Sequence, residues 1–141
     1  MTIFHRAAGK DVSWALDPLL VLPGVKHAVV LTSDGIVRGA SPNLSTEAGE
    51  GAAAMMSALQ GAARTLAILF SGNEATRLQQ IVVDADSGYV FATPAASNTV
   101  MAVYATRDVD MGVVAHLMQI QVKTLGDKVM PSDARDTGTP A

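Results

Sequence analysis

The sequence predicts an α+β domain: a five-stranded antiparallel sheet in the order αββαβββα, with a long central helix on one face and the terminal helices on the other. Three observations carry this. Two apolar, β-branched runs, residues 27–32 and 36–40, flank Ser33-Asp34-Gly35. Asp-Gly between such runs is a strong hairpin signal, because Gly tolerates positive φ in a tight turn. Residues 45–70, STEAGEGAAAMMSALQGAARTLAILF, read as one long helix with very little charge. Three further strand-like runs, 77–83, 89–93 and 99–105, are separated by the turn residues of 84–88 and 94–98 and form a meander.

At 141 residues the chain is one domain, large enough to bury about 70% of its unfolded surface. A formal charge of −3 and the lack of any Lys/Arg run with interleaved aromatics argue against a nucleic-acid partner. No cysteine is present, which excludes a disulfide, a thiolate nucleophile and a zinc–thiolate site, and a reducing cytoplasm is the expected location. The opening MTIFHRAAGKD has no long apolar segment behind its basic residues and does not read as a signal peptide. The apolar stretch 51–63 is too short for a span of about 20 residues. The uncharged stretch 87–106 is broken by Gly88, Pro94, Ser97 and Asn98. No membrane insertion is expected.

Taken in order, residues 1–10 read as a flexible N-terminus, 11–129 as the folded domain and 130–141 as a flexible tail. Residues 11–22 form a first helix with Trp14 as its anchor in the core. Asp17-Pro18 either kinks this helix or restarts it with Pro at the first helical position, and Pro23-Gly24 ends it. Ser45 or Thr46 caps the long helix, Glu47 and Glu50 sit near its positive end, and Ser71-Gly72-Asn73 stops it. Asp108 and Asp110 open the last helix, which buries Val114, Met118, Val122 and Leu125 and runs to about Val129.

The long helix has no side fit to face water. Between residues 51 and 63 its only polar side chains are Ser57 and Gln60, whereas a surface helix on a small domain should show one charged face. Large residues (Met55, Leu59, Leu66, Leu69) occupy one side and are expected to pack on the sheet. Small ones (Ala54, Ser57, Ala58, Gly61, Thr65) recur at helical spacing on another side and would admit a second helix closely. A second copy of the chain is the simplest object to cover that side, which makes these five residues the expected self-association surface. The alternative is that small residues let the helix sit close to its own sheet, with Met55 and Met56 filling gaps and the large side left exposed at a cost of about 25 cal/mol per Å². The strand 77–83 is the expected sheet edge. It is open to strand addition through Arg77 and Gln79, or is an ordinary edge protected by Arg77, Gln79 and Gln80.

Little supports catalysis. There is no phosphate-binding G-x-x-x-x-G-K-[ST] loop, and His5, His27 and His116 lack ligand spacing. Asp84-x-Asp86-x-Gly88 imitates the start of a calcium loop but lacks its later acidic ligands, and reads as a hairpin turn. Asp108 and Asp110 are explained by helix capping. Asn43-Leu44-Ser45 matches a glycosylation sequon that has no meaning without secretion. Arg64 invites comparison with an arginine finger, although a solvated side chain accounts for it as well. No catalytic, cofactor or metal residue is assigned.

The stretch LPGVKHAVVLTSDGIVRGAS (22–41), the Ala/Gly-rich helix after it, and RDVDMGVVAHLMQIQVKTLGDKV (107–129) together resemble the Roadblock family, named for a dynein light chain. The likeness is to bacterial members that work beside a Ras-like small GTPase, and it covers residues 12–129. One departure is DPLLVLP (17–23), which carries a proline and almost no charge where family members have a charged amphipathic first helix. The resemblance implies a homodimer, or a dimer with a paralogue, whose long helices pack antiparallel and whose edge strands join into one sheet. It also implies a non-enzymatic regulator or scaffold of the GTPase. Any modulation of GTP hydrolysis would come from reshaping the GTPase's own switch regions, and a link to a sensor kinase is a further option. Glu50 and Arg64 are the expected partner-binding residues. Two alternatives stand beside this reading. One is a small-ligand sensor with a pocket between helix and sheet. The other is a purely structural dimerisation scaffold.

Overall fold

The computed structural model describes residues 11–95 and 98–138, with backbone alone from residue 128 on. A 3-10 turn (Ser13–Leu16) runs into a short helix α1 (Asp17–Leu20). Then come β1 (Val25–Thr32), β2 (Val37–Ala40), the long helix α2 (Thr46–Ser71), β3 (Ile81–Ala85), β4 (Gly88–Ala95), β5 (Thr99–Ala105) and α3 (Met111–Gly138). The strands form one antiparallel sheet in the order β2-β1-β5-β4-β3, so the α+β architecture is as expected. The two hairpin groups meet where β1 pairs with β5 from Val25↔Ala105 to Thr32↔Thr99.

Local chemistry explains the boundaries. The Ser45 hydroxyl accepts from the Ala48 N–H at 3.1 Å and caps α2, and Gly72 closes it in the left-handed region at φ 70°. In the β1–β2 turn the Thr32 hydroxyl donates to Asp34 and accepts from the Ile36 N–H at 2.9 Å. Asp110 accepts from the Val113 N–H at 3.2 Å, the helix-opening role expected of it. The Asp108 carboxylate accepts from the Thr106 hydroxyl, and that bond, ahead of one from its own backbone, holds it below the usual carboxylate range.

Several expectations are corrected. The first helix is not continuous over residues 11–22: a 3-10 turn precedes a single α turn, and Pro18 sits in the first turn of α1. Trp14 is not a core anchor. It is 39% exposed, and Ala15, Leu16 and Leu19 fill the core in its place. The turn lies almost against β2. A Cβ on Gly39 would sit 2.8 Å from the Ser13 nitrogen. The edge strand starts at Ile81, not at residue 77, so Arg77 and Gln79 lie in the exposed approach to it. The backbone of α3 continues to Gly138, past the end expected near Val129. The expected flexible residues 1–10 lie outside the described residues.

Two apolar layers flank the sheet. On one face the 3-10 turn, α1 and α3 bury Leu16, Leu19, Phe91, Met101, Val114 and Met118. Gln121 ties this layer together by donating to the Ala15 carbonyl at 2.9 Å. On the other face α2 packs on β1 and β2, closing over Val29, Leu31, Val37 and Val100.

Because the Gly39 contact is with backbone and not with a flexible side chain, Gly39→Ala must displace the 3-10 turn. We expect a loss of about 1–3 kcal/mol, as for other overpacked sites, read from the urea unfolding midpoint. An unchanged midpoint would show that the turn is not seated on β2 as described.

Candidate interaction surface

The buried stripe of α2 is Gly49, Ala53, Met56 and Gln60, at intervals of four, three and four. These residues are small or unbranched, so the helix axis comes close to the valines of β1. This differs from the expected orientation: neither the large side nor the Ala54-to-Thr65 side is the buried one. The large side does not pack on the sheet: Met55 is 68% exposed, Leu69 74% and Phe70 85%, with Leu59 and Leu66 also exposed. No residue from 61 to 71 is buried, although the run contains Leu66, Ile68, Leu69 and Phe70. Burial of apolar surface is worth about 25 cal/mol per Å², so a helix with this much apolar area in water has a strong drive to be covered.

The contacts of α2 are mainly with β1 and β2; on the same face Ala92 of β4 is buried, and towards β3 the sheet is only partly covered. An apolar groove of ≈360 Å³ lies there, walled by Met55 and Leu59 of α2 and floored by Val83, Val90 and Ala102. His27 and Tyr104 close one side, their rings stacked at 6.3 Å and 22°. The groove opens towards β3, whose only substantial contacts are with β4. Val82 and Val83 are both exposed. As neighbours in a strand they point to opposite faces, so neither face of this edge is covered. The other edge differs: the Val12 N–H donates to the Arg38 carbonyl at 2.9 Å and the Ala40 N–H to the Ser13 hydroxyl at 3.1 Å, which occupies β2.

The expected self-association residues fall in several settings. Ala54 and Ser57 flank the β1–β2 turn, and Ser57 donates to the Ser33 carbonyl, fastening that turn to α2. Ala58 and Thr65 are exposed and Gly61 half-buried, and a Cβ on Gly61 would meet open space. The Thr65 hydroxyl donates to the Gly61 carbonyl at 3.1 Å. Arg77 and Gln79 are exposed before β3. Glu50 is half-buried on α2, and Arg64 donates to buried Gln60 at 3.2 Å. Sequence reasoning offered a pocket between helix and sheet only as an alternative, without the residues that line it, and did not find the outward large residues. The signal available was the run Ile81-Val82-Val83, apolar on both parities in an edge strand.

The chemical candidates have structural partners. Asp84 pairs with Arg107, which also donates to the Ala85 carbonyl at 2.9 Å and lies 4.5 Å over the Tyr89 ring. Among the described residues no group of three or more acidic or histidine side chains is placed to hold a metal. By length and hydropathy α2 could cross a bilayer. It instead connects β2 and β3 of one sheet and buries Ala53 and Met56 against that sheet, a geometry incompatible with spanning.

Met56→Ala should cost about 2–5 kcal/mol of chain stability in dilute solution, and Met55→Ala within about 0.5 kcal/mol. Equal losses in urea unfolding would contradict this orientation of α2.

Comparison with known proteins agrees with this architecture. A family model for the Roadblock/LC7 domain matches residues 12–105. A Roadblock/LC7 domain from Streptomyces avermitilis is 30% identical, superposes with a TM-score of 0.79, and the match covers 86% of this chain and 99% of that one. MglB from Myxococcus xanthus, 14% identical, shares the fold with a TM-score of 0.69 over 93% of this chain and 90% of its own. The gliding protein MglB from Thermus thermophilus, 17% identical, does so with a TM-score of 0.69 over 81% and 84%. No curated protein matches the chain. The family match spans the sheet and the exposed helix alike, and the chain belongs to the Roadblock/LC7 family.

Proposed function

We propose that this chain is a non-enzymatic, dimeric regulator or scaffold for a cytoplasmic Ras-like small GTPase. The observation that carries the reading is the apolar outer surface of α2, continuous with an open β3 edge, in a member of the Roadblock/LC7 family. A second copy laid along α2 would cover Met55, Leu59, Leu66 and Leu69, with Ala58, Gly61 and Thr65 permitting close approach. Strand addition at β3, beside Arg77 and Gln79, would pair its free backbone groups. The GTPase side of the proposal rests on the resemblance of residues 22–41 and 107–129. Glu50 and Arg64 are offered as its contact residues, and a sensor kinase as a further partner. Hydrolysis, where altered, would change through the GTPase's own switch regions, as the family resemblance implies.

The groove gives the small-ligand reading a specific basis, since ≈360 Å³ lined almost wholly by apolar groups suits a small apolar molecule. Native mass spectrometry separates the two readings: a co-purifying small molecule favours the sensor, and a bare dimer favours the regulator.

The double variant Leu59→Glu/Leu66→Glu should shift the protein from dimer to monomer in light scattering with its circular dichroism unchanged. Pull-down from native lysate, with a non-hydrolysable GTP analogue and again with GDP, should retain a small P-loop GTPase in one nucleotide state only. Partners indifferent to nucleotide would replace the regulator with a scaffold.

A further inference from the structure

Only two of the side chains lining the groove beside α2 can ionise, His27 and Tyr104. Tyr104 donates its hydroxyl to the Ser87 carbonyl at 3.0 Å and stacks its ring on His27. The half-buried imidazole is held differently. Its Nδ1 is buried and has no hydrogen-bond partner among the described residues. A neutral imidazole can leave one nitrogen as a bare lone pair, but the protonated ring carries an N–H on both nitrogens. Protonation would therefore place a buried donor without an acceptor, and a charge, beside an apolar groove.

Among the described residues that line the groove, no opposite charge faces the ring. The elements around it present Leu44 from the loop before α2, Ala52, Met55 and Leu59 from α2, Val83 from β3 and Val90 from β4, all uncharged. Glu47 and Glu50 of α2 are not among the groove-lining residues. Lys26, the adjacent residue on β1, is exposed and acts on Asp108.

We propose that His27 makes self-association through this groove acid-sensitive: a second copy closes over the groove while the imidazole is neutral and is released when it is protonated. This rests on the dimer proposed above. With the groove open, water reaches the exposed part of the ring and solvates the charge. A second copy excludes that water, so the dimer binds fewer protons than two monomers, and its stability falls as pH falls through the imidazole range of about 5–8. Carboxylates and lysines of ordinary titration change little between pH 7.5 and 5.5.

The test is the dimer dissociation constant, from sedimentation or light scattering at pH 7.5 and 5.5, for the full chain and for His27→Phe and His116→Asn. His116 is exposed on α3 and serves as the control. The expected result is a wild-type constant at least about tenfold larger at pH 5.5, the same in His116→Asn, and no comparable change in His27→Phe. A pH-independent wild type, or a His27→Phe variant as acid-sensitive as wild type, overturns the inference and leaves the dimer standing. A wild-type monomer at both pH values overturns the dimer and the inference with it. Should His27→Phe fail to fold, His27→Gln replaces it: loss of the acid sensitivity in that variant supports the proposal, and acid sensitivity equal to wild type contradicts it.

Discussion

The contact on which the rest of this structure depends is the seating of α2 on β1 and β2 through the narrow stripe Gly49, Ala53, Met56 and Gln60. Small side chains let the helix lie low over Val29 and Leu31, and only Met56 reaches deep into the layer. That choice decides what remains outside. With the small stripe spent on the chain's own sheet, Met55, Leu59, Leu66 and Leu69 face water, and the sheet beyond β5 keeps an uncovered apolar floor. The groove and the exposed helix surface are one consequence of one packing decision.

The free edge follows from the same arrangement. β3 is held mainly by its ladder to β4 and by the Arg107–Asp84 pair, with the Arg107 guanidinium stacked on Tyr89. The Asp84 side chain, whose spacing with Asp86 imitates a calcium loop, thus fastens the end of the edge strand to the chain leaving β5. Both groups are exposed, so the pair sets geometry more than stability. A strand that is apolar on both parities, held in register yet left unpaired outward, suits addition of another strand.

Much of the fold was legible in the sequence because it is written in local signals. Asp34-Gly35, the Ser45 cap, Gly72 and Asp110 act within a few residues of themselves, and the strands and helices they delimit appear close to where those signals place them. The failures are non-local. Nothing near Trp14 records that Ala15, Leu16 and Leu19 fill the core in its place, or that Gly39, twenty-five residues on, brings the backbone of the turn close against β2. The orientation of α2 was misread for a related reason. Both of its long faces are apolar, so periodicity detects a helix to be covered twice without saying which face meets its own sheet. Residue size is a poor guide, because the stripe that meets the sheet, Gly49, Ala53, Met56 and Gln60, mixes small and long side chains and lies between the two faces that size picks out. The run 77–83 reads as one strand, yet the ladder to β4 begins only at Ile81 and leaves Arg77 and Gln79 outside it.

In the proposed dimer a second copy covers the outer surface of α2. The chain has no cysteine, so single cysteines placed at the exposed positions Ala58 and Ala62 report on that surface alone. Under mild oxidation in dilute solution, Ala58→Cys or Ala62→Cys should form a covalent dimer far faster than a His116→Cys control on the opposite layer. Cross-linking at α2 no faster than at residue 116 would contradict the account.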